Sequence, residues 1–155
     1  MKRIGVGVIG WGFMGRTHTH SLRAIPLFYQ GLDFEPVLAG VCSRRLEKAK
    51  EAQEQLGFGF ATDDYHALLA REDIQVVSIC TPNAMHEQMA IDAMRAGKDV
   101  LCEKPAAMNA DLAAQMQKAA DDNGVILNIG VCNRFNTSVN KIAELIQAGV
   151  LGNLY

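Results

Sequence analysis

Six short apolar runs alternate with helical stretches from one end of the chain to the other, and few architectures accept that order. The runs are "RIGVGVIG" (3–10), "PVLAGVC" (36–42), a weaker "FGFA" (58–61), "IQVVSIC" (74–80), "KDVLC" (98–102) and "VILNIGV" (125–131). They are apolar throughout rather than alternating, which marks strands covered on both faces. Helical patterns fill the gaps over 13–29, 44–57, 65–70, 84–96, 109–124 and 140–149. Leu22, Ile25 and Phe28 or Tyr29 share one side of the first helix, and Pro26 marks its last turn or a kink. Gly57, Gly97 and Gly124 stop helices; Asn109, and either Asp63 or Asp64, start them. Strands joined by right-handed helical crossovers predict a three-layer α/β fold: a doubly wound parallel sheet of order 3-2-1-4-5-6. The closing "GVLGNLY" (149–155) reads as the start of another strand.

With 155 residues, 49% hydrophobic, the chain can bury one sizeable core. A net charge of -2 carries no basic excess for nucleic acid. No apolar run reaches the roughly 18 residues of a membrane span. The first residues lack the cleavage site of a signal peptide, so a cytoplasmic protein is expected. Cys42, Cys80, Cys102 and Cys132 are widely spaced, without a C-x-x-C pair. They read as small buried apolar residues in a reducing compartment, and no metal site is expected.

Local chemistry concentrates after the strands. "GWGFMG" carries Gly10, Gly12 and Gly15 at the spacing G-x-G-x-x-G, directly after a strand and opening a helix. In that setting the first glycine allows the tight turn, the second a close approach of pyrophosphate, and the third helix–strand contact. The helix start then faces the phosphates. After the second strand come Ser43, Arg44 and Arg45, where an NAD site usually has an acid. Glu35 precedes the strand and belongs to the wrong edge. Two arginines at a helix start invite an anion such as a 2′-phosphate, so NADP is favoured over NAD. The alternative is that they are solvated and offset by Glu47. Thr81, Pro82 and Asn83 form a loop beside the switch point, with His86 in the next helical turn, in either a structural or a direct role. Glu103, Lys104 and Pro105 follow the fifth strand. A lysine beside a cofactor cleft can exchange a proton with a substrate oxygen; a solvated Lys–Glu pair is the plainer reading.

"GWGFMG", "TPNAMH", "GKDVLCEKP", "GVCNRFN" and "IQAGVLG" together resemble the Gfo/Idh/MocA oxidoreductases over nearly the whole chain. The resemblance implies NAD(P)-dependent hydride transfer to or from a sugar, cyclitol or related polyol. It implies that Lys104 is catalytic and that Gly10, Phe13, Met14, Ser43, Arg44, Thr81, Asn83, His86 and Glu103 contact the cofactor. Asn133 and Arg134 match a loop near cofactor and substrate. It also implies a second domain, an open antiparallel sheet that supplies a proton-relay His and the surface of a homo-oligomer. Residues 1–155 therefore read as the dinucleotide-binding domain alone. A non-catalytic NADP(H)-sensing module is the competing function, which retention of Lys104 disfavours. A methyltransferase would keep an acid after the second strand and has no use for Glu-Lys-Pro.

Overall fold

A computed structural model describes residues 1–153. Its strands are β1 (Lys2–Ile9), β2 (Phe34–Cys42), β3 (Ala61–Thr62), β4 (Val76–Ile79), β5 (Asp99–Cys102) and β6 (Leu127–Ile129). They form one parallel sheet of order β3-β2-β1-β4-β5-β6. The helices are α1 (Phe13–Phe28), α2 (Leu46–Leu56), α3 (Tyr65–Leu69), α4 (His86–Arg95), α5 (Ala110–Asn123) and α6 (Thr137–Gln147). This is the doubly wound order that the alternation predicts.

Two buried clusters flank the sheet. The larger holds Ile9, Leu68, Val77, Ile79, Met94 and Met116 and lies under α3, α4 and α5. The smaller, Val8, Val41, Ala49, Ala52 and Phe58, lies under α2. Neighbours Val8 and Ile9, like Val41 and Cys42, go to opposite clusters, as a pleated strand buried on both faces requires. The order reverses between β1 and β4, so their carboxyl ends open a crevice at the switch point. No helix among the described residues is long and apolar enough to cross a membrane.

Several boundaries move. β3 is two residues, Ala61–Thr62, because only these pair with Val41 and Cys42 at the sheet edge. Glu35 lies inside β2, paired with Arg3 at 3.9 Å, but at the amino-terminal edge as expected. Asp64, not Asp63, caps α3 by accepting from the His66 N–H at 2.9 Å. The apolar side of α1 ends at Ile25; Phe28 and Tyr29 are exposed beyond Pro26. α6 starts at Thr137, where Asn136 caps it, and leaves Val139, Ile142 and Ile146 exposed. In place of the strand expected over 149–155, residues 149–151 form turns; Leu154 and Tyr155 lie outside the described residues.

Candidate functional site

The glycine turn is built by contacts that a side chain would break. Gly10 has φ +100°, and a Cβ there would lie 2.6 Å from the Cys80 carbonyl oxygen. A Cβ on Gly15 would lie 2.0 Å from the Gly10 carbonyl oxygen. Gly12 differs: nothing among the described residues stands within 4 Å of its Cβ position. It is the N-cap of α1, yet no side chain caps the helix and no acid sits in its first turn. Among the described residues the amides and positive dipole end of α1 thus meet no anion, which is the arrangement that takes a phosphate.

That turn opens onto a groove of 760 Å³ at the carboxyl ends of β1, β2 and β4. Gly10, Gly12, Phe13 and Met14 line one wall, Ser43, Arg44 and Arg45 another, and Thr81 and Pro82 a third. Arg44 and Arg45 are exposed, and neither has an ion-pair partner among the described residues. Glu47 does not pair with them. Arg45 is the N-cap of α2 and supplies no capping bond, so positive charge stands where the helix dipole opposes it. Thr81 Oγ1 is buried with no hydrogen-bond partner among the described residues. Such an atom costs free energy until something bonds it. An open cradle, an uncapped helix start, two free guanidinium groups and an orphaned hydroxyl together fit a dinucleotide.

Asp63 and Tyr65 also line the groove, and sequence reasoning missed both. The weighing of Asp63 against Asp64 as a cap was the available signal: the aspartate that does not cap is the one facing the groove.

Other candidates sit differently. Asn83 is exposed at the head of a 3-10 turn, Asn83–Met85, that precedes α4. His86 is buried at 1% exposure. Its Nδ1 is 2.8 Å from the Pro105 carbonyl oxygen and its Nε2 2.9 Å from that of Thr81. The ring therefore sits between the loops after β4 and β5, the position a structural role calls for. Glu103 is buried too and lines a second, mostly apolar cavity of 500 Å³ beside α1. Lys104 is exposed, and its ammonium has no ion-pair partner among the described residues. Glu103 bonds the Lys104 backbone amide instead, so the plain Lys–Glu pair does not form. Asn133 and Arg134 are exposed on a 3-10 turn, Cys132–Phe135, after β6.

The cysteines divide. Burial pushes the Cys42 and Cys102 thiols up to about 12, with Asp64 and Asp63 assisting at Cys42 and Cys80 and Glu103 at Cys102. Burial raises Cys80 to about 11 against a lowering bond from Ser78. These thiols stay protonated at neutral pH. Cys132, expected to be buried, is exposed because β6 ends three residues before it.

Known proteins resemble this chain in sequence and fold. The chain is 33% identical over 154 residues to levoglucosan dehydrogenase of Pseudarthrobacter phenanthrenivorans, covering 99% of this chain and 40% of that protein. The solved structure of levoglucosan dehydrogenase in complex with NADH and L-sorbose has a TM-score of 0.88 at 33% identity, covering 99% of this chain and 41% of that one. KijD10, a 3-ketoreductase from Actinomadura kijaniata solved with TDP-benzene and NADP, has a TM-score of 0.82 at 31% identity, covering 96% and 45%. The chain thus spans about 40% of the length of the first of these relatives. Residues 4–131 match the family model described as an oxidoreductase family with an NAD-binding Rossmann fold. With the glycine cradle, the strand order and the Glu-Lys-Pro loop in place, the chain belongs to the Gfo/Idh/MocA oxidoreductase family.

Proposed function

We propose that this chain holds NADP(H), with NAD(H) the weaker ligand, for an oxidoreductase that moves hydride between the nicotinamide and a hydroxyl-bearing carbon of a sugar, cyclitol or related polyol. The observation that carries the reading is the glycine cradle facing Arg44 and Arg45 across one groove. The cradle takes the pyrophosphate on the free amides of α1. Ser43 and Arg44 take the 2′-phosphate, where a guanidinium can donate two parallel hydrogen bonds. Thr81, Pro82 and Asn83 lie along the ribose. When bound, the dinucleotide supplies or accepts the hydride.

Lys104 is the catalytic residue in this reading. Its ammonium is held in no ion pair, so it can bond the reacting oxygen and pass a proton to or from it at Nζ. Asn133 and Arg134, which follow β6 at the same carboxyl edge of the sheet, are assigned to the side where cofactor and substrate meet. A further domain would complete the substrate pocket and carry the contacts of a homo-oligomer. The names of the relatives, a sugar dehydrogenase and a ketoreductase, support this substrate class. Four free cysteines fit a reducing, cytoplasmic setting.

Titration of the chain with NADPH and with NADH at one salt concentration tests the reading. Tenfold tighter NADPH binding, about 1.4 kcal/mol, is expected. Equal binding removes the assignment of the arginines to a 2′-phosphate and keeps the cradle. Binding of neither refutes the cradle in this chain.

A further inference from the structure

We propose that His18 is a positioning residue that fixes the loop carrying Lys104. The inference rests on the reading above only in giving Lys104 the chemistry. His18 lies in α1, three residues beyond Gly15, and nothing in its sequence neighbourhood marks it out. Its ring sits between two partners distant in the chain. Ser78 Oγ is 2.8 Å from Nδ1, and Glu103 Oε1 is 3.0 Å from Nε2. Both the imidazole and the carboxylate are largely shielded, at 14% and 10% side-chain exposure. The other carboxylate oxygen of Glu103, Oε2, accepts the Lys104 backbone N–H at 3.1 Å. Gly130 keeps the place open, since a Cβ there would lie 3.2 Å from Oε1.

Chemistry fixes the direction of this line. An ionised carboxylate only accepts, so Nε2 donates to Glu103. In the neutral ring Nδ1 then accepts from the Ser78 hydroxyl, whose oxygen stands 3.6 Å from Cys80 Sγ. The buried carboxylate is satisfied by oriented N–H groups and leaves the Lys104 ammonium unclaimed. The helix whose first turn faces the groove is thereby tied to the loop that carries the lysine. Without the imidazole, Glu103 is free to turn and the Lys104 amide loses its acceptor.

Amide exchange and ring spectra of the 15N-labelled chain test this. In the wild-type chain the Lys104 N–H exchanges slowly and His18 shows the Nε2–H tautomer. H18F is expected to speed Lys104 exchange tenfold or more while the spectrum stays dispersed. H18Q, whose amide can still donate to Glu103, recovers most of the slowing. Unchanged Lys104 exchange in H18F, H18Q as fast as H18F, or an Nδ1–H tautomer in the wild-type chain overturns the proposal. Should H18F not fold, E103Q replaces it: one carboxamide oxygen cannot accept as the two carboxylate oxygens do, so either the exchange rate or the tautomer changes, and a variant that alters neither overturns it. NADH and NADPH binding, followed by nicotinamide fluorescence on the same samples, judges the dinucleotide reading separately. A chain that binds neither refutes that reading, while the exchange result still decides on His18.

Discussion

Replacing Gly12 with alanine separates a phosphate cradle from a structural turn. Nothing among the described residues stands within 4 Å of the new Cβ, and the φ of −92° suits any residue. Alanine is a poorer N-cap than glycine, but its unfolded chain has less entropy to lose. These opposing effects are each about 1 kcal/mol or less, so stability should hardly change. The same methyl at Gly15 would lie 2.0 Å from a backbone oxygen. There the backbone must move, at a cost of about 1–3 kcal/mol, which lowers Tm by roughly 2–4 °C per kcal/mol in a chain of this size. In G12A, ligand binding should fall although stability does not. A methyl over Gly12 fills the space a pyrophosphate needs. Losing one charge-assisted backbone bond there costs about 1.5–3 kcal/mol, a weakening of roughly ten- to a hundredfold. Urea unfolding followed by circular dichroism reads stability, and nicotinamide fluorescence reads binding. G12A that binds NADPH as tightly as the wild-type chain would refute the cradle; G12A that unfolds would refute the open space above Gly12.

Four further outcomes are expected. K104M in an enzyme carrying this domain should lower turnover about 10²–10⁴-fold and leave dinucleotide affinity intact; near-normal turnover excludes Lys104 from the chemistry. R44A should weaken NADPH about tenfold without affecting NADH, and the difference should shrink as salt is raised; equal effects on both would sink the 2′-phosphate assignment. Iodoacetamide at pH 8 should modify exposed Cys132 and spare Cys42 and Cys102, as mass spectrometry of digests would show. The folded Cys42 and Cys102 thiols sit at about 12, above the ordinary 9.0, so their contribution to stability is full below pH 9 and lost as pH climbs from there toward 12; a Tm that stays flat through pH 10.5 would contradict it.

What could be read in advance was what depends on near neighbours. Gly10, Gly12 and Gly15 were legible because the strand before them and the helix after them give the spacing its meaning. The strand order followed from alternation and handedness, without knowledge of any contact. β3 was misplaced because its extent is set by which residues meet Val41 and Cys42 across the sheet, not by its own apolar run. His18 gave no signal: its partners are 60 and 85 residues away, and only the folded sheet brings them together. The partner of Glu103 was hidden for the same reason. The place of Glu103 beside Lys104 was visible, but the direction of its carboxylate is decided by α1 and by the space at Gly130.

The imidazole of His86 carries a consequence for how such a domain can change. One ring touches the carbonyl of Thr81, after β4, and that of Pro105, after β5. Two loops that differ in sequence and in assigned task therefore share a single mechanical joint. Lengthening, shortening or exchanging either loop alone takes one of the two carbonyls away from the buried ring. A loop transplanted onto β5 to alter the chemistry must offer a carbonyl where Pro105 now presents one, or arrive with a replacement for the histidine. Variation in this part of the molecule is expected to move in pairs, and the joint marks where a designer has to cut.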